Sequence, residues 1–201
     1  MKNLFHIAIA LLLLTSCKSV LKKSYAVKNP KLEDQVSIKM FLHKKKIDTS
    51  NVYVFNNLMA YAGASNLKLL SIPDAVFFNK EGFFVSYKKS ATDCNAKIDG
   101  FISDLSSFSQ LPKDETKKMD DLVALINNNN NTIPTKADIN VFITWAVFAG
   151  KLNDEKAFEW VKLLNDAKKK GINVNYYLLN CDFQKSWNLS KEEKEGIGIR
   201  E

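Results

Sequence analysis

Apolar and polar positions along this chain fall into short blocks whose periods can be read directly. Val36, Ile38, Met40 and Leu42 recur at every second position, the period of a half-buried strand, and predict one over 36–42. Val52-Tyr53-Val54-Phe55 is a second β-prone run, and Asn56-Asn57 then open a helix through Leu58, Met59, Tyr61 and Ala62. The runs Asp74–Phe78 and Phe83–Tyr87 are separated by Asn79-Lys80-Glu81-Gly82. That spacing predicts a hairpin, with glycine where the turn needs a positive φ. Ile98, Phe101, Ile102 and Leu105 repeat at i, i+3, i+4 and i+7, so a helix should lay one face on the sheet. Met119, Leu122, Val123 and Ile126 extend the same logic to a helix over 112–126.

The five asparagines at 127–131, followed by Pro134, read as a polar loop and the clearest internal boundary. Beyond them Ile139–Trp145 is strand-like. Asn153 or Asp154 should cap a helix running to about Lys169, with Ala157, Trp160, Val161, Leu164 and Ala167 inward and Gly171 just past its end. Residues 172–179 form the next strand. Strand, helix and strand in that order make a βαβ unit with parallel strands. The expectation is one α/β domain over 36–187, a mixed sheet flanked by helices, and a tail at 188–201 without readable pattern.

The first sixteen residues are patterned differently. A short positive start is followed by an apolar run over 4–14, too short to cross roughly 30 Å of hydrocarbon as a helix. It ends in Leu14-Thr15-Ser16-Cys17, which resembles the lipobox of bacterial lipoproteins. The resemblance implies removal of 1–16 as a signal peptide, lipidation of Cys17 on its thiol and new amine, and anchoring of the mature chain to the cell envelope through fatty acyl chains such as palmitate. Lys18 rather than aspartate after the cysteine implies the outer membrane. The following stretch to Gln35 carries Lys22, Lys23, Lys28 and Lys31 with little apolar content, and reads as a lipid-anchored tether over 17–35.

Composition narrows the chemistry. With 46% hydrophobic and 25% charged residues among 201, the chain is globular rather than disordered. The net charge is +7, but Arg200 is the sole arginine and the lysines are scattered. Phosphate recognition favours the guanidinium fork, so nucleic acid is excluded as a partner, and export excludes it further. The partners expected are the membrane, through the lipid, and an envelope protein. His6 leaves with the signal, so a triad would rest on His43 alone, and a zinc site would need carboxylates beside two Cys and one His; neither is expected, and no metal or cofactor is. Cys94 and Cys181 remain, 87 positions apart and not in a C-x-x-C pair. Independent structural thiols, a structural disulfide and a redox pair are all open for them.

Two blocks resemble the thioredoxin-like superfamily. Ile72-Pro73-Asp74-Ala75-Val76-Phe77-Phe78 with Gly82-Phe83-Phe84-Val85 is similar to its second half, in which a proline, usually cis, opens a strand that a Gly turn returns. Ile143 to Leu152 is similar to its first half, where a strand runs through aromatics into C-G-P-C at a helix start. The resemblance implies a thioredoxin-like sheet, permuted or degenerate because the halves come in reverse order, and a cis bond at Ile72–Pro73. The two motif cysteines fall at Ala149 and Leu152, which cannot act as nucleophiles. The chain therefore reads as an envelope lipoprotein whose fold has lost redox chemistry. It would serve as a binding or accessory module, with no catalytic residue and with Pro73, Trp145 and Phe148 as its binding surface. The alternatives are a thiol–disulfide or peroxide-handling oxidoreductase using Cys94 or Cys181, and an accessory lipoprotein of a secretion, motility or immunity system.

Overall fold

A computed structural model of the chain describes residues 22–88, 97–127 and 137–199. Seven strands make one mixed sheet in the order β4-β3-β2-β6-β7-β1-β5. They are β1 (Val52–Phe55), β2 (Asp74–Asn79), β3 (Phe83–Val85), β4 (Lys113–Lys118), β5 (Ile126–Asn127), β6 (Ile139–Trp145) and β7 (Val174–Asn180). β6, β7 and β1 are parallel to one another, while β2, β3, β4 and β5 pair antiparallel with their neighbours.

Helices cover both faces. On one lie α1 (Gln35–Lys44), α3 (Ile98–Ser103) and α5 (Phe158–Lys169), packed on Ala75, Phe77, Val141, Ile143 and Leu178. On the other lie α2 (Leu58–Asn66) and α4 (Met119–Leu125), packed on Tyr53, Phe55, Phe78, Phe142 and Leu179. Alternate residues of each strand thus feed opposite cores. All seven residues of β6 are buried, and five of them are apolar. Its two polar members each fix a loop. Asn140 exchanges hydrogen bonds with the backbone of Ala137, and Thr144 Oγ1 accepts from Asp74 N at 2.8 Å and donates to the Ser71 carbonyl.

The hairpin, α2, α3, β6 and β7 lie where the sequence pattern puts them. α5 ends where expected, but neither Asn153 nor Asp154 caps it: Asn153–Ala157 form a π-helical turn without a side-chain cap, and Asn153 is buried with its amide donating back to the Ala146 carbonyl. Gly82 has φ +86° at the hairpin, and the Ile72–Pro73 bond is cis. Asn57 caps α2 by accepting from Ala60 N at 2.8 Å. Three segments differ. Residues 36–42 are helical: Asp34 accepts from Ser37 N at 2.8 Å, Ser37 Oγ accepts from Asp34 N, and this capping box starts α1. The apparent period of two was a helical period of four seen twice, because Ile38 and Leu42 are buried while Val36 and Met40 face solvent. The expected helix over 112–126 is half strand. Lys113–Lys118 is a fully polar edge strand, protected by its charges from further pairing, and only 119–125 is helical. The tail contains α6 (Lys191–Gly196), begun by a Ser190–Glu193 capping box and tied down by buried Leu189 and Ile199.

The expected tether also ends early. From Tyr25 onward the chain is docked on the domain, and residues 25–34 form a strap across the carboxyl ends of β6 and β7. Lys151 N donates to the Tyr25 carbonyl, Lys28 N to that of Phe148, Glu33 N to that of Phe183 and Lys185 N to that of Glu33, each at 2.8 Å. Among the described residues, no helix is long and apolar enough to cross a membrane.

Candidate functional site

Open α/β sheets carry their sites outside the carboxyl ends of parallel strands, and here that end belongs to β6, β7 and the segments that follow. β6 stops at Trp145. Ala146 is extended, Val147–Ala149 make one 3-10 turn, and Gly150 reverses the chain at φ +61°. β7 stops at Asn180, and Cys181 N donates to the Trp145 carbonyl at 2.7 Å, so the two ends stay in register.

The turn is held by buried polar groups. Asp182 Oδ2 accepts from Val147 N and from Asn180 Nδ2, both at 2.7 Å. Gln184 Nε2 donates to the Asp182 carbonyl at 2.7 Å, and Asn153 Nδ2 to the Ala146 carbonyl at 2.8 Å. Asn180, Asp182, Gln184 and Asn153 are essentially inaccessible, and so is Glu33 of the strap. Glu33 Oε1 lies 3.2 Å from Lys31 Nζ but outside hydrogen-bonding geometry, so its charge is only partly compensated.

Burial pushes the Asp182 carboxyl up to about 6, and the Glu33 carboxylate adds to this, against the Val147 N–H and the Asn180 amide. Burial likewise raises the Tyr61 hydroxyl to about 12, with Cys181 and Asp182 contributing. The Cys181 thiol is free and wholly buried, and desolvation raises it well above its ordinary value.

Compared with family models, curated proteins and solved structures, the chain matches none.

The candidate residues are separated by this geometry. The β2–β6 register pairs Asp74 with Thr144, which sets Pro73 beside the end of β6. Pro73 and Phe148 are half-buried. Trp145 is not on a surface at all: it is 0% exposed, stacked 5.7 Å from Phe41 of α1 and with the tilted ring of Phe158 of α5 at 5.8 Å. Trp145 belongs to one core and Phe148 to the other, so the sheet itself stands between them. Strand alternation sends Trp145, with the other odd residues of β6, toward α1 and α5, whereas Phe148 lies in the 3-10 turn beyond the strand and packs on the other core. Trp160 is buried in the same core as Trp145, its indole N–H donating to Asp99 of α3, and Trp187 packs on Tyr61 and Phe183 on the far face. Ala149 is buried and Leu152 half-buried. Cys17 and Cys94 lie outside the described residues.

Sequence reasoning missed Glu33, Tyr61, Asn153, Asn180, Asp182 and Gln184. A run of polar residues after a strand looks like a solvated loop, and only the strap makes it an interior. Among the described residues no three His, Cys, Asp or Glu side chains converge as a metal site. What the arrangement does is fix the turn: the Asp182, Asn180, Gln184 and Asn153 side chains bond one another and the backbone of 146–147 and 182, while the strap is held on the turn by backbone hydrogen bonds.

Proposed function

We propose that the chain is a lipid-anchored envelope protein built on a permuted thioredoxin-like sheet, that it has lost redox chemistry, and that it works as a binding or accessory module. The pairing of β2 with β6 supports the fold reading, because it joins the hairpin half and the βαβ half into one sheet in reversed chain order. The observation that carries the functional reading is the strap. It lies across residues 147–151, the segment that in a redox member would present the motif, and seals it with backbone hydrogen bonds. Beneath it stand Ala149 and Leu152, which have no thiol to offer. The complete burial of Cys181 supports this reading, since a buried thiol whose ionisation desolvation opposes is a poor nucleophile. The binding surface reduces to Pro73 and Phe148.

The test is thiol trapping on the processed protein across a glutathione series, with the intact mass measured. Acyl mass on Cys17, and Cys181 alkylated only after unfolding, is the expected result. A reversible two-electron change linking Cys94 and Cys181 would instead make the protein an oxidoreductase.

A further inference from the structure

The strap gathers cations at one end of the molecule. Lys22, Lys23, Lys28, Lys31 and Lys151 are all exposed, and the hydrogen bonds of Tyr25 with Lys151 and of Lys28 with Phe148 hold them on the same cap. Nearby acids are mostly engaged: Asp34 pairs with Lys185 at 2.6 Å, Asp154 with Lys45 at 2.7 Å, Asp182 is buried, and buried Glu33 has its Oε1 3.2 Å from Lys31 Nζ, so Lys31 adds less net charge to the cap than the other four. Glu155 is the exposed exception. Val36, 68% exposed on the first turn of α1, adds an apolar side chain two residues beyond Asp34.

The chain leading to this cap is short. Four residues, Lys18 to Leu21, separate Cys17 from Lys22. Those five Cα steps reach at most roughly 17 Å. A domain held that closely presents the strap end to the lipid rather than ranging through the periplasm. The leash lets the lysines enter the layer, about 8 Å deep at physiological ionic strength, in which headgroup charge is felt.

We infer that the cap formed by Lys22, Lys23, Lys28, Lys31 and Lys151 is a membrane-contact surface that seats the domain, strap end down, on anionic phospholipid headgroups. The inference rests on the lipoprotein reading above. It implies that a partner reaches Pro73 and Phe148, which lie at the same end of β6, from the flank of the sheet and not across the strap.

Amine footprinting of the full processed protein tests it. The protein is placed in vesicles containing phosphatidylglycerol, in vesicles of phosphatidylcholine alone and in detergent micelles, then treated with a water-soluble acylating ester and mapped by mass. The expected result is at least fivefold slower labelling of the five cap lysines in phosphatidylglycerol vesicles than in micelles, reversed by high salt. Lys80 and Lys169, at the other end of the strands, should label equally throughout. Equal rates for the cap lysines in micelles and vesicles, or equal protection with both lipids, overturns the inference alone. An intact mass without acyl chains on Cys17 overturns the lipoprotein reading, and the inference with it.

Discussion

Gly150 and Ala26 meet with no room between them for a side chain. A Cβ on Gly150 would fall inside the surfaces of the Tyr25 and Ala26 carbonyl oxygens, and Gly150 itself holds φ +61°. Gly150→Ala therefore combines a left-handed backbone penalty with a clash against the strap, together costing about 1–3 kcal/mol. The cheapest relief is release of the strap rather than collapse of the sheet. Limited trypsin digestion should then cut after Lys28 or Lys31 faster than in the wild type, while β6 and β7 amides keep their hydrogen-exchange protection. Loss of protection across the sheet would show that the strap is part of the core.

Trp145 makes the contrast between surface and core measurable. Fully buried between Phe41 and Phe158, it should cost about 3–5 kcal/mol when changed to alanine. Its indole N–H has no hydrogen-bond partner among the described residues, so Trp145→Phe removes an unsatisfied donor along with some packing and should cost clearly less. Urea unfolding of the two variants decides it. A stability for Trp145→Ala within about 0.5 kcal/mol of wild type would return Trp145 to the surface.

These residues also mark how far the sequence could be read. β2, β3, β6 and β7 were legible because each carries its own apolar run, and Gly82 because its turn needs a positive φ. α1 was misread because residues 36–42 satisfy both periods, and only the Asp34–Ser37 capping box distinguishes them. β4 was missed because an edge strand of Lys, Asp, Glu and Thr has no apolar signal. The site was hardest. Trp145 and Phe148 are three positions apart, yet the sheet separates them, and Glu33 is joined to Gln184 by a single bridge across a chain separation no local pattern encodes.

Cys181 offers a third test. Its Sγ lies 3.5 Å from the Leu179 carbonyl in a fully buried site, so native protein should react with iodoacetamide at Cys181 only at the rate of unfolding. Cys181→Ala trims a small buried side chain, and a loss of about 1 kcal/mol is expected, seen as a modest fall in the urea midpoint. Rapid alkylation of Cys181 under native conditions would contradict the buried placement and reopen its redox role.

Asp182 sets the pH dependence, and its sign is opposite to that of most acids. Its native pKa of about 6 lies above the ordinary 3.8, so between those values the folded protein binds more protons than the unfolded chain. Stability from this group is therefore greatest below about pH 4, falls as pH rises through 6, and is flat above. Two pH units correspond to as much as about 3 kcal/mol. Asp34 works the other way. A hydrogen bond from Lys185, with the Ser37 N–H, lowers it to about 2, so its contribution holds above pH 4 and is lost as pH falls toward 2. Urea midpoints measured from pH 4 to 8 should thus decline across the Asp182 window. In Asp182→Asn, whose amide oxygen can still accept from Val147 and Asn180, that slope should vanish and stability at pH 7 should rise. A wild-type profile that climbs from pH 4 to 6 would mean that Asp182 is ionised and well compensated in the fold, and that the Glu33 carboxylate does not face it.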